Sequence, residues 1–247
     1  MIVPFLYLSP STQEFNLYST TGNEELWMNR IADAMEPYLR ASGINFTRND
    51  PSTNAATAIR ESNAGNYDFH LALHSNAAAG ANAGNVRGVD VYYYPASAEG
   101  LRMANILVEK LKEIYPLPDL VRALPTTSIG EVRRTKAPSV LAELGYHDNV
   151  LDARWVEENV DSIARYLSMG VSEYFSLPFL QPEPVRTATV VLSEGSLNLR
   201  TAPNVQSGIY RTIPNGVQVE VYAPYEDWYS VGYDGVTGFV RGDFLRF

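Results

Sequence analysis

The sequence predicts an α/β fold, a mostly parallel twisted sheet with helices on both faces, followed by a small all-β barrel. Three observations predict it. Up to about residue 174, short apolar runs alternate with longer stretches of helical period, the pattern of a largely parallel sheet covered on both sides. Composition then shifts at Leu177–Thr187, where the three prolines of LPFLQPEPVRT make a semi-rigid linker. Beyond it, short β-type runs are separated by Gly- and Asn-bearing turns and no helical period remains, which describes a barrel of roughly 60 residues. The chain therefore reads as residues 1–177, a linker at 178–187 and residues 188–247.

Each element has a local reason. Ile2–Leu8 (IVPFLYL) is an apolar run and reads as a buried first strand, with Pro4 keeping its first residues out of the ladder. A polar loop, Ser11–Asn23, follows. Leu26, Ile31, Met35, Tyr38 and Leu39 recur at helical spacing, so Glu24–Ala41 is a helix, ended by Ser42-Gly43 and kinked at Pro37. Ile44–Arg48 is a short strand, and Thr53–Ser62 a helix capped by Ser52 or Thr53. Tyr67–His74 is a strand that carries a histidine to its tip and breaks into Ser75-Asn76. Val89–Tyr94 is a strand stopped by Pro95, and Ser97–Tyr115 an amphipathic helix with Leu101, Ala104, Ile106, Leu107 and Leu111 as its apolar set. Leu117–Val132 carries mixed signals and reads as a short strand or an active-site loop. Ser139–Leu144 is a buried strand, and Asn149–Tyr174 one long final helix. In the C-terminal region Thr189–Leu192, Val217–Tyr222, Trp228–Val231 and Thr237–Val240 are the strands.

Composition excludes several classes. A net charge of −9 argues against a general nucleic-acid binder, which needs a basic face. No apolar run approaches the ~18–20 residues that span a bilayer. The start, MIVPFLYLSP, lacks a basic n-region and a small-residue cleavage site, so no signal peptide is expected in it. The absence of cysteine removes thiolate metal sites and fits an extracellular life. Any metal must be held by His, Asp, Glu or similar oxygen donors.

In an α/β sheet the ligand sits beyond the carboxyl ends of the strands, and His74 and Glu143 both lie at such ends. Hydrolysis of an unactivated amide needs an electrophile and a base. A zinc ion supplies the first and lowers the pKa of a bound water to about 7; a carboxylate supplies the second. The candidates are His74 and Glu24 for the metal and Glu143, a carboxylate inside an apolar strand, for the base. His70 shares a strand face with His74, but four residues of regular strand span ~13 Å. His70 is therefore expected to be structural, with His147, in the turn after Glu143, either lining the pocket or packed.

ALHSNA (Ala72–Ala77), LAELGYHDN (Leu141–Asn149) and GNEELWMNRIAD (Gly22–Asp33) resemble the motifs of zinc-dependent N-acetylmuramoyl-L-alanine amidases of the amidase-3 type, over about residues 1–177. The resemblance implies hydrolysis of the amide between N-acetylmuramic acid and L-alanine in peptidoglycan. It implies Zn2+ held by Glu24 and His74 and Glu143 as the catalytic carboxylate; Arg60, Asn63 and Asp68 match the family loosely, and Asn76, His147 and Arg60 are the candidate substrate contacts. The family's first ligand is a histidine just after the first strand, and here no histidine precedes His70. Ser11, Gln13, Glu14 and Asn16 are the available donors, with Glu14 the best by chemistry. SLNLRTAPNVQSGIYRTIPNGVQVEVY and DWYSVGYDGVTGFVRGDFL resemble a bacterial SH3 domain, which implies a cell-wall-binding module. The expected setting is extracellular or wall-associated. Two other readings remain: a non-catalytic peptidoglycan-binding protein with a degenerate site, and a metallopeptidase acting on the stem peptide.

Overall fold

The computed structural model describes residues 4–247; the predicted strand residues Ile2 and Val3 lie outside them. The chain divides into two compact units, one of Phe5–Met35 with Phe46–Tyr174, the other of Glu36–Asn45 with Phe175–Phe247 and Pro4.

The first unit is built on a sheet of β1 (Phe5–Pro10), β2 (Asn45–Arg48), β3 (Phe69–Asn76), β4 (Val89–Tyr93), β5 (Val121–Pro125) and β6 (Ser139–Tyr146), in the order β2-β1-β3-β6-β4-β5. β1, β3 and β6 run parallel, as do β4 and β5; β4 meets β6 antiparallel, the one reversal among these pairs. Leu6, Leu8, Phe69, Leu71, Leu73, Val140 and Ala142 are buried, as a sheet covered on both faces requires.

The helices are α1 (Glu24–Ala41), α2 (Ala55–Ala64), α3 (Ala98–Lys112), α4 (Gly130–Arg133), α5 (Val150–Glu158) and α6 (Val160–Tyr174). α1 starts where Asn23 Oδ1 accepts from Leu26 N at 2.8 Å, with Glu24 and Glu25 in its first turn and Arg40 in its last, and it runs unbroken through Pro37. α2 starts later than expected. Asp50 Oδ1 accepts from Ser52 N and Oγ and holds that stretch as a turn, so the cap falls to Asn54, which accepts from Thr57 N at 3.0 Å. The expected single final helix is two. Asn159 leaves helical geometry (φ −125°, ψ 21°); its N–H donates to Val156 O and its carbonyl accepts from Ile163 N, closing α5 and opening α6. Gly170 lets α6 approach α3, because a Cβ there would lie 2.6 Å from Leu107 Cδ2.

The C-terminal unit holds β7 (Arg186–Val190), β8 (Ser196–Arg200), β9 (Ile209–Pro214), β10 (Gln218–Tyr225), β11 (Trp228–Tyr233), β12 (Val236–Arg241) and β13 (Leu245–Arg246), paired in the order β13-β7-β10-β11-β12-β8-β9. The pairs are antiparallel. Val190, Leu199, Ile213, Val221, Val231, Val240 and Leu245, one from each strand, join a single apolar cluster, so the sheet curls around its own core. β7 begins inside the expected linker, and β8 and β9 were not read from the sequence. In β9 only Ile213 is buried, so its apolar pattern is faint.

Candidate active site

The site forms where β1, β3 and β6 end. β3 and β6 are parallel neighbours, and His74 and Glu143 are register partners, so both side chains leave the same face side by side. Just past them Gly145, at φ +83°, takes a conformation closed to most residues; the register slips there and Asn76 pairs with Tyr146.

Glu24 enters from the first turn of α1. Its Oε1 lies 2.8 Å from His74 Nδ1, and its Oε2 accepts from Asn16 Nδ2 at 2.6 Å. Burial pushes the Glu24 pKa up, but the His74 hydrogen bond and charge, with hydrogen bonds from Asn16 and Ser11, bring it below the ordinary value. Gln13 reaches the same place from the loop after β1. Its Nε2 is 3.3 Å from His74 Nδ1, and its Oε1 accepts from Asn16 Nδ2 at 3.2 Å.

Glu131 is the residue sequence reasoning missed. It sits on α4, the four-residue helix inside the ambiguous Leu117–Val132 segment, and is buried. Its Oε2 is 3.2 Å from His74 Nε2, and its Oε1 is 3.2 Å from His70 Nε2 and accepts from Ser9 Oγ at 2.6 Å. Ala72, between the two histidines on their strand face, packs against Val132 of α4; a larger residue would keep the helix away. The strand geometry that stops His70 and His74 from meeting at one atom is met by a carboxylate with two oxygens. His70 is fully buried, with Nδ1 3.0 Å from Ser62 Oγ. Its one sequence signal was a buried polar group needing a partner.

Charge follows this geometry. Burial disfavours a charged His74, but the hydrogen bonds and charges of Glu131 and Glu24 outweigh it and hold the His74 pKa well above the ordinary value. Glu131 is held well below the carboxylate range, because His70 and His74 overcome its burial. Glu143 goes the other way. Burial dominates, Glu24, Asp90 and Glu131 add negative charge, and its pKa rises to about 7 despite the opposing charge of His74. Its Oε2 is buried and has no hydrogen-bond partner.

The other expected site residues are placed as follows. Glu14 is exposed and lines a cavity of about 640 Å³ that reaches His74, Glu131 and Gln13. Glu143 is not among that cavity's lining residues. Asn76 ends β3 with its Oδ1 on Ala77 N at 2.8 Å. His147 is buried; its Nδ1 lies 2.9 Å from Ser75 O and 3.1 Å from Ser75 Oγ, and its ring stacks on Tyr18. Arg60 is not brought to the site. It is exposed on α2 and bonds Thr57 Oγ1 at 3.3 Å, while Asn54, Ala55 and Ala58 at the start of that helix line the cavity.

An imidazole nitrogen and a carboxylate oxygen 2.8 Å apart, beside a buried carboxylate oxygen with no partner, suit a zinc ion and a polar reactant. Among the described residues no group of three or more His, Asp or Glu forms a ready metal cage. The site offers two strong donors and the Gln13 amide, and to that extent fits the metal.

A mixed α/β sheet with His74 and Glu143 at its strand ends, to which α1 and α4 bring Glu24 and Glu131, defines a hydrolase-like site in a doubly covered sheet. Residues 15–173 match the N-acetylmuramoyl-L-alanine amidase family, and the chain belongs to it. This family is generally zinc-dependent. Residues 195–246 match a bacterial SH3 domain. The N-acetylmuramoyl-L-alanine amidase CwlM of Bacillus licheniformis is 25% identical over 146 residues, a match covering 58% of this chain and 54% of that protein. The chain thus matches about half the length of that relative. Among solved structures, the amidase AmiC2 of Nostoc punctiforme superposes with a TM-score of 0.61 at 17% identity, covering 70% of this chain and 97% of that one. The catalytic domain of the amidase CwlV from Bacillus (Paenibacillus) polymyxa var. colistinus gives a TM-score of 0.60 at 16% identity, covering 70% and 99%. These likenesses show the fold.

Proposed function

We propose that this protein hydrolyses the amide between N-acetylmuramic acid and L-alanine in bacterial peptidoglycan. One observation carries the reading: a carboxylate with its pKa raised to about 7 and one buried, unpartnered oxygen stands beside the His74–Glu24 pair. A base titrating near neutrality can take a proton and return it. When bound, a zinc ion supplies Lewis acidity, polarising the amide carbonyl and acidifying water.

His74 Nδ1 and Glu24 Oε1 would hold the metal, with the Gln13 amide beside them; Glu14, exposed at the rim of the cavity that His74 also lines, is the lesser candidate. Asn16 fixes the free oxygen of Glu24. Glu143 takes a proton from water as its oxygen attacks the carbonyl carbon. It then gives that proton to the alanine nitrogen as the C–N bond breaks, and the second proton of the attacking water passes from the new carboxyl group to the freed amine, so the muramic acid keeps a carboxylate and the alanine leaves as an ammonium. Asn76 and His147, near the end of β3, are proposed to border the bound glycan or peptide.

Residues 1–177 form the catalytic domain in this proposal, 178–187 the linker and 188–247 an SH3-like module that holds the enzyme on its polymeric substrate and raises local concentration. The proposed place of action is the cell wall or outside it. No helix among the described residues is long and apolar enough to cross a membrane. Mass spectrometry of fragments from digested wall tests the reading, because an amidase frees whole stem peptides from the glycan. Cuts within the stem peptide, or no release with zinc supplied, would refute it.

A further inference from the structure

A carboxylate that spans two buried histidines is an unusual arrangement to maintain for packing alone. Glu131 uses Oε2 for His74 Nε2 and Oε1 for His70 Nε2 and Ser9 Oγ. His74 and His70 both face Glu131 through Nε2. A metal held between His74 and Glu24 takes the ring nitrogen on the Glu24 side and leaves the other to Glu131. Nδ1 is the nitrogen turned toward Glu24 Oε1 and Gln13.

We propose that Glu131 is a positioning residue for the metal site: it holds the His74 ring by Nε2 and so aims Nδ1 at Glu24 Oε1. The proposal rests on the metal reading given above and adds a residue on a different element. His70, held by Ser62, and Ser9 are the anchors of Glu131, both at its Oε1. This gives His70 a role that does not require it to touch the metal. The two histidines and Ser9 fix both oxygens of the carboxylate, so its approach to His74 is set before any ligand arrives. Partners that orient a ligating histidine typically change metal affinity by about 10- to 100-fold when removed.

The test uses the full-length protein with zinc as the probe. Zinc affinity is measured by chelator competition for wild type, Glu131→Gln and Glu131→Asp, and histidine 15N spectra are recorded with and without zinc. In wild type the His74 Nε2 signal is expected to stay that of a protonated nitrogen while Nδ1 shifts on zinc binding. Glu131→Gln, which keeps the shape and loses the charge, is expected to bind zinc about 10- to 100-fold more weakly. Glu131→Asp, which restores the charge on a shorter stem, should recover part of that loss. If zinc shifts His74 Nε2 in wild type, the proposal is overturned even where a variant fails to fold. Equal zinc affinity in a folded Glu131→Gln protein overturns it too and leaves the metal reading standing. Zinc bound by no form of the protein, wild type included, overturns the metal reading and this proposal with it.

Discussion

Replacing Glu143 by Gln separates what that carboxylate costs the fold from what it does for the reaction. In the metal-free protein its pKa is raised by burial from 4.5 to about 7, which corresponds to about 3 kcal/mol at 1.36 kcal/mol per pH unit. The sign follows from proton binding. Below pH 4.5 the carboxyl is protonated in both folded and unfolded chains and has no effect. Between 4.5 and about 7 the unfolded chain ionises while the folded one holds its proton, so stability falls as pH rises, and above 7 the full loss remains. The amide of the Glu143→Gln variant does not titrate. The difference in melting temperature between variant and wild type, measured with chelator present, should therefore grow in favour of the variant from about pH 4.5 to about pH 8. At 2–4 °C per kcal/mol for a chain of this size, the growth is about 6–12 °C. Any constant offset from the new amide drops out. In the same protein, release of stem peptides from wall should fall about 10²- to 10⁴-fold, the usual contribution of a general base. Parallel melting curves across this pH range would show that Glu143 is not the strained, desolvated carboxylate described, and undiminished peptide release would remove it as the base.

Other outcomes follow from the same geometry. Gln13→His should tighten zinc binding at least about tenfold, while Glu14→Ala should leave it within about twofold, as read by chelator competition; the reverse ranking would move the third donor to Glu14. Asp152, fully buried, accepts from Arg87 Nε and Tyr115 Oη at 2.7 Å and from Gly88 N and Tyr146 N. Asp152→Asn should cost about 3–5 kcal/mol in denaturant unfolding, because it leaves Arg87 and two backbone donors poorly matched. In the C-terminal unit a groove is lined by Asn198, Arg200, Val205, Trp228, Arg241 and Phe244. Val205→Asp, at an exposed position, should weaken co-sedimentation with wall several-fold while turnover of a soluble muramyl peptide is unchanged. Unaltered sedimentation would place wall binding elsewhere.

Local pattern alone determined much of this protein. Alternating strand and helix signals specify the covered sheet, and the same pattern puts His74 and Glu143 at strand ends. Glu24–Ala41 was readable to the residue because an acidic start, an apolar stripe and a Ser-Gly stop agree there. The proline-rich change of composition marks where one kind of periodicity gives way to another. These are properties of neighbouring residues, which set which face of each element is buried. The tertiary structure decided the contents of the site. Glu131 lies 57 residues from His74 on a helix of four residues, too short for any period, and only the docking of α4 over Ala72 brings its carboxylate between the histidines. The choice of Gln13 over Glu14 beside His74 is likewise invisible locally: the more basic donor points to solvent because the turn after β1 hands its neighbour to the site. Glu143 stands out in the sequence as a carboxylate among apolar neighbours. Its raised pKa came from burial and from three acids, Glu24, Asp90 and Glu131, that the fold gathers around it from distant parts of the chain.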